Sequence, residues 1–229
     1  MLETIAPECV AIDVRYEFCM DGLFPEERES LGVVVDKRLR EFTTGRVCAR
    51  KSLLKLGIQP CPIRIGPRRE PIWPQGIAGS ITHCSGFCAA AVASSLELCS
   101  IGIDAEENLP LGEGVIEVIA SQQERTEIRT LRGSWLHWDR LLFSAKESVF
   151  KAWYCLASQW LDFSECTIQW GPSDDLKLVG NDLFAGTFVA HLARPWPSSR
   201  DSQNRFEGRF VVGKEHLATM VTVNRSAVH

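Results

Sequence analysis

No stretch of this 229-residue chain approaches the ~20 consecutive apolar residues of a membrane-spanning helix. The N-terminal MLETIAPECVAIDVRYEF has no basic segment leading into an apolar one, so no signal peptide is expected and a cytoplasmic setting is. Phosphate-binding fingerprints are missing: there is no G-x-x-x-x-G-K-[ST] loop and no G-x-G-x-x-G. Ser80 sits in no G-x-S-x-G elbow, which removes the serine-hydrolase reading. Nine cysteines are present, but the number is odd, the spacing irregular and no CxxC occurs. Cys84 and Cys88 have no second cysteine or histidine pair at zinc-finger spacing. Reduced, mostly buried thiols of a cytosolic protein are therefore expected. No internal repeat or low-complexity tract appears.

What is present is an uneven charge. Between Lys37 and Arg69 lie ten basic residues (Lys37, Arg38, Arg40, Arg46, Arg50, Lys51, Lys55, Arg64, Arg68, Arg69) against one acid, Glu41. That window carries +9 in a chain of net charge −4, so the remainder carries −13. Such a segment is either a solvated helix face or the seat of a local polyanion. The acidic remainder would repel a long nucleic acid, which argues against that partner.

Residues 10–18 alternate with Val10, Ile12, Val14, Tyr16 and Phe18 on one face, the pattern of a half-buried strand. Pro25-Glu26-Glu27 reads as a helix start. A second helix is expected from Asp36 to Leu56, stopped by Gly57. Its inward stripe of Leu39, Phe42, Ala49, Leu53 and Leu56 is interrupted by Arg46, which needs a partner or an anion. Residues 61–76 are rich in Pro and Gly and read as a loop. Strands follow at 77–82, 87–94 and 97–106, the last two joined by a hairpin at Ser94–Glu97. After a loop at 108–114, helical pattern returns at 115–131 and 135–156. Strands are expected at 165–170, 175–179, 186–192, 207–212 and 217–223, with a turn at Gly180-Asn181 and a loop at 194–204. Helices and antiparallel hairpins in separate clusters predict an α+β fold.

Three segments hold candidate chemistry. In S-I-G-I-D-A-E (100–106), strand alternation sets Cys99, Ile101, Ile103 and Ala105 on an apolar face and Gly102, Asp104 and Glu106 on the other. The two carboxylates lie about 7 Å apart along the strand. They either converge on one hard cation or form a solvated acidic edge. On the helix 135–156, Trp138, Leu142, Ala145, Val149, Trp153 and Leu156 form one apolar stripe, and Leu136, Phe143, Phe150 and Tyr154 another. Between them runs a polar strip of Arg140, Ser144, Glu147 and Lys151, which in a largely buried helix is paired or faces a site. A Glu147–Lys151 ion pair is the simpler account. A capping box at Ser144-x-x-Glu147 is discounted, because it would start a helix inside an unbroken apolar pattern. In P-I-W-P-Q-G-I-A-G-S-I-T-H (71–83), Gly79 and Ser80 permit close backbone approach, and Thr82 and His83 can donate hydrogen bonds.

Together G-R-V-C-A-R-x-x-L-x-x-L-G (45–57), W-P-x-G-x-x-G-S-I-T-H (73–83), G-I-D-A-E (102–106) and F-S-A-K-E-S-V-F-K-A-W-Y (143–154) resemble the Sfp-type 4′-phosphopantetheinyl transferases. The S-I-T-H-C-S-G-F stretch looks closest to the actinobacterial and enterobactin-synthase branch. The resemblance spans residues 38–154. It implies a pseudo-twofold pair of similar α/β subdomains, each an antiparallel sheet packed with helices, here 1–108 and 109–229. It implies Mg²⁺ (or Mn²⁺) on Asp104, Glu106 and Glu147, with Glu147 as general base and Lys151 against the diphosphate. It implies coenzyme A phosphates on Arg38, Arg46, His83 and one of Arg68 or Arg69, and Ser80 and Thr82 lining the nucleotide pocket. The expected partners are apo carrier proteins or domains of fatty-acid, polyketide or nonribosomal-peptide synthesis, modified by a monomeric, cytoplasmic enzyme. The sequence departs from many relatives at Ile65–Pro71, and Cys155 stands where proline is frequent. The alternatives are a Mg²⁺-dependent phosphodiesterase acting on coenzyme A, a non-catalytic coenzyme A-binding module, and an interaction scaffold. The scaffold explains neither the basic segment nor the polar strip.

Overall fold

The computed structural model describes residues 1–131, 135–172, 176–180, 182–196 and 203–225. Of the expected features, Asn181, Asp175 and the loop residues 197–202 lie outside them. The chain is α+β, with antiparallel sheets packed by helices. A three-stranded sheet has the order β1 (Ala11–Arg15), β3 (Phe87–Ser94), β2 (Ile77–Cys84). A six-stranded sheet has the order β4 (Leu98–Glu107), β9 (His216–Asn224), β8 (Arg205–Val212), β7 (Phe184–Leu192), β5 (Cys166–Trp170), and the short β6 (Lys177–Leu178) pairs with β7.

Each sheet has its long helix. On the smaller sheet lies α2 (Asp36–Lys55), where Cys48, Ala49 and Leu53 pack against Cys88, Ala90 and Val92 of β3. The helix stops at Leu56, and Gly57 takes φ 76, as the glycine predicts. The other face of β3, Phe87, Ala89, Ala91 and Ala93, meets Ile101, Ile103 and Ala105 of β4 and Ala218 and Met220 of β9. The run of alanines lets the two sheets approach closely. Behind β4 and β9 lies α5 (Trp138–Ala157), and Gly102 marks its contact with β4. A Cβ at Gly102 would lie 1.8 Å from the carbonyl oxygen of Ser148, so only glycine fits there.

The structure corrects several expectations. No hairpin joins β3 to β4, although Glu97 N–H does bond Ser94 C=O at 3.0 Å. Both edges of β3 are already taken by β1 and β2, so β4 crosses to pair with β9. The first strand ends at Arg15, opposite Cys88, because its partner turns one residue beyond, and Tyr16 is 60% exposed. The segment 115–131 is two helices, α3 (Val115–Ile119) and α4 (Gln122–Thr130). Ser121 begins the second: its Oγ accepts the Glu124 N–H at 3.2 Å, and the Glu124 carboxylate accepts the Ser121 N–H at 2.9 Å. The nine thiols are free, but only Cys48, Cys88 and Cys166 are buried. Among the described residues no helix is long and apolar enough to cross a membrane.

Candidate active site

Because β4 is the last strand of its sheet, its outward backbone groups need partners. They come from side chains. Ser80 Oγ accepts the Ile103 N–H at 3.1 Å, and Thr82 Oγ1 accepts the Ala105 N–H at 3.0 Å. Lys151 Nζ donates to the Ile103 carbonyl at 2.9 Å. The S-I-T spacing on β2 thus matches the I-D-A spacing on β4, two residues apart on each strand, and stitches the sheets together. Both hydroxyls are buried in this seam, and Ser80 also lines the cleft described below.

The alternation expected in 100–106 is observed: Ile101, Ile103 and Ala105 are fully buried toward the small sheet, while Asp104 turns to α5. Lys151 Nζ lies 2.8 Å from Asp104 Oδ1, so the lysine pairs with the strand rather than with Glu147. Asp104 Oδ2 is buried with no hydrogen-bond partner. Glu106 Oε2 accepts from Arg140 Nη1 at 3.0 Å. Burial, then the Asp104 carboxylate, raise the Glu106 carboxyl to about 7 against the opposing pull of Arg140 and Lys151. Glu147 stands one turn before Lys151. Its carboxyl is also raised, chiefly by burial, with Lys151 lowering it and Asp104 adding to the rise. Three of the four strip residues have partners: Arg140 meets Glu106, Ser144 Oγ lies 3.0 Å from Thr219 Oγ1, and Lys151 meets Asp104.

Among the described residues no three His, Cys, Asp or Glu side chains are already gathered as a metal cage. The donor set nevertheless fits a hard divalent cation. Asp104 acts on both Glu106 and Glu147 and has a buried unpartnered oxygen, and burial holds the other two carboxyls above their usual range.

Beside this cluster opens a cleft of about 600 Å³, a volume suited to a small-molecule ligand. Arg68, Arg69, Trp73, Gly79 and Ser80 line one side, and Phe150, Lys151, Tyr154 and Trp160 the other. Both arginines of the uncertain pair therefore border it. Arg38 Nη1 is 3.4 Å from His83 Nε2, and burial followed by Arg38 and Lys151 pulls the His83 imidazole below its usual range, with Glu41 and Asp104 opposing. Arg46 is the inward arginine that the helical stripe required: its Nε donates to the Ile63 carbonyl at 3.0 Å, and its guanidinium lies 3.9 Å from the centroid of the Phe42 ring. Arg46 Nη2 is buried and unpaired, and desolvation lowers the group to about 10. An anion would satisfy it.

Two buried ion pairs escaped the sequence reading. Glu27, in α1 (Pro25–Leu31), accepts Arg50 Nη1 at 2.6 and 2.7 Å, together with the N–H groups of Phe24 and Ile63, each at 2.9 Å. Glu124 accepts Lys146 Nζ at 2.9 Å, together with the N–H groups of Ser121 and Ile168. Lys146 also donates to the carbonyls of Ile119 and Phe163 and is 1% exposed. Periodicity could have flagged Lys146, because it falls inside the buried arc of α5, but nothing local names its partner.

The family models agree with this architecture. The description "4'-phosphopantetheinyl transferase N-terminal domain" matches residues 26–93, and "4'-phosphopantetheinyl transferase superfamily" matches residues 100–203. The chain belongs to the 4′-phosphopantetheinyl transferase superfamily, a family of transferases. It is 46% identical to the 4′-phosphopantetheinyl transferase Svp of Streptomyces mobaraensis, over 88% of this chain and 78% of that one. It is 39% identical to Npt of Nocardia iowensis, over 96% and 99%, and 41% identical to PptT of Mycobacterium tuberculosis, over 73% and 76%. Both of these also bear the name 4′-phosphopantetheinyl transferase.

Proposed function

We propose that this protein transfers the 4′-phosphopantetheine group of coenzyme A to a serine of an apo carrier protein, with Mg²⁺, releasing 3′,5′-bisphosphoadenosine. The observation that supports this most is that Asp104, with a buried unpartnered oxygen, acts electrostatically on both Glu106 and Glu147 and pairs with Lys151, which lines an arginine-bordered cleft. In this reading the halves 1–108 and 109–229 flank the cleft, although β4 of the first pairs with β9 of the second.

Asp104, Glu106 and Glu147 hold Mg²⁺, or Mn²⁺ in its place, which when bound neutralises charge on the diphosphate oxygens. Arg38, Arg46, Arg68 or Arg69, and His83 bind the phosphates of coenzyme A, and Lys151 faces the diphosphate. The carrier serine oxygen bonds to the β-phosphorus as the bond from that phosphorus to the bridging oxygen of bisphosphoadenosine breaks. Glu147 takes the serine proton on its carboxylate. Burial raises its affinity for protons, the direction a general base needs. Lys151 offsets charge developing on the leaving oxygen.

Mass spectrometry of an apo carrier protein incubated with this protein, coenzyme A and Mg²⁺ tests the reading. Carrier domains of polyketide, nonribosomal-peptide and fatty-acid synthesis serve as the three arms. A gain of one phosphopantetheine, abolished by a chelator, is expected. Release of bisphosphoadenosine without any carrier would instead mean hydrolysis, and no consumption of coenzyme A at all would mean a binding module.

A further inference from the structure

The segment after β4 is pinned with unusual completeness. Asn108 Nδ2 donates to the carbonyls of Trp135 and Gly213, each at 3.0 Å, and its Oδ1 accepts the His137 N–H at 3.1 Å. Asp139 Oδ2 accepts the Leu111 N–H at 2.8 Å. Between these anchors Arg140 spends its fork on three oxygens. Nε donates to Leu109 O at 3.1 Å, Nη2 to Pro110 O at 2.9 Å and Nη1 to Glu106 Oε2 at 3.0 Å. Arginine is the side chain whose planar donors meet three fixed acceptors at once. The Arg140 and Glu106 side chains are 22% and 21% exposed, so this is a constrained pair rather than a solvated one. Glu106 Oε1 has no hydrogen bond among the described residues.

We propose that Arg140 is a positioning residue of the cation site: fixed to the carbonyls of Leu109 and Pro110, it holds Glu106 by one carboxylate oxygen and leaves the other for the divalent ion. The proposal rests on the reading of Asp104, Glu106 and Glu147 as metal ligands. Outer partners that orient a ligand typically change metal affinity by about 10- to 100-fold when removed. Lys151, the other cation near Glu106, is occupied by Asp104 Oδ1 and Ile103 O.

The test is Mn²⁺ uptake followed by electron paramagnetic resonance, with coenzyme A present, no carrier protein, and the uptake by coenzyme A alone subtracted. Arg140→Gln should weaken uptake by about tenfold or more. Arg140→Lys should stay weakened, because one ammonium cannot reproduce the three-way fork. Asp139→Asn loosens the same loop through Leu111 without touching Glu106, and should bind Mn²⁺ like the parent. Thermal midpoints confirm that each variant is folded. Parent-like uptake in Arg140→Gln, full rescue by lysine, or an equal loss in Asp139→Asn would overturn the positioning role. Parent-like uptake in both Asp104→Asn and Glu106→Gln, or no uptake by the parent itself, would instead overturn the cation site and the inference with it.

Discussion

Glu124 and Glu147 belong to neighbouring helices, yet their carboxylates live in opposite circumstances. Glu124 takes an ammonium and two backbone N–H groups, and its side chain is 2% exposed. Glu27 does the same in the other half with Arg50 and two N–H groups. Both stand at the third position of a short helix, accept an N–H from the segment that follows a long helix, and draw their cation from that long helix. Asp104, Glu106 and Glu147 contrast with them. Asp104 leaves one buried oxygen unpartnered, and Glu106 and Glu147 are held above the usual carboxylate range. A buried charge that is fully hydrogen-bonded holds structure together, whereas one left short is prepared for something that arrives later. Adjacent residues divide along this boundary: Lys146 is fully engaged inside the protein, and Glu147 feels Lys151 and Asp104.

The contrast can be broken most forcefully at Lys146. Lys146→Met strands the Glu124 carboxylate and should cost about 3–5 kcal/mol in urea unfolding, with turnover per folded molecule little changed. An unaltered unfolding midpoint would show that the pair is dispensable. Next in size, Asp104→Asn and Glu147→Gln should each cut transfer roughly 100- to 1,000-fold while the thermal midpoint holds. A large stability loss in either would move it to the structural class with Glu124. Smaller again, Ser80→Ala or Thr82→Val should cost about 1–3 kcal/mol, because the N–H of Ile103 or Ala105 is then buried without an acceptor. Normal stability with impaired coenzyme A binding would instead assign these hydroxyls to the ligand.

The mildest effect is on pH. The folded chain binds the Glu106 proton more tightly than the unfolded chain, with a value of about 7 against 4.5. Its contribution to stability is therefore present below pH 4.5 and is lost as pH rises through about 7. Metal-free protein should lose stability across that window, and Glu106→Gln should flatten the loss. An unchanged slope in that variant would place the titration elsewhere.

Much of this was legible because it is local. Alternation in 100–106 put Asp104 and Glu106 on one face, and the 3.6-residue period put Arg140, Ser144, Glu147 and Lys151 on one strip. Both patterns survive in the structure because a strand or helix imposes its own geometry on near neighbours. The turn at Ser94–Glu97 misled for the same reason. Its residues do turn the chain, but whether two strands then pair depends on which sheet edges are free, and β3 had none. The helical pattern over 115–131 is divided by one residue, Ser121, whose side chain competes for backbone N–H groups.

Sequence alone settled where most of the elements lie, which faces are apolar and which side chains bring charge, since each follows from spacing along one strand or helix. Only the tertiary structure decided who meets whom: Ser80 and Thr82 with the open edge of β4, Lys151 with Asp104, Arg140 with Glu106, Lys146 with Glu124. These partners stand 22 to 47 residues apart. No short-range period reaches that far, and the choice among many available charges is made by packing, when burial removes water and leaves each ion only the neighbours the fold supplies.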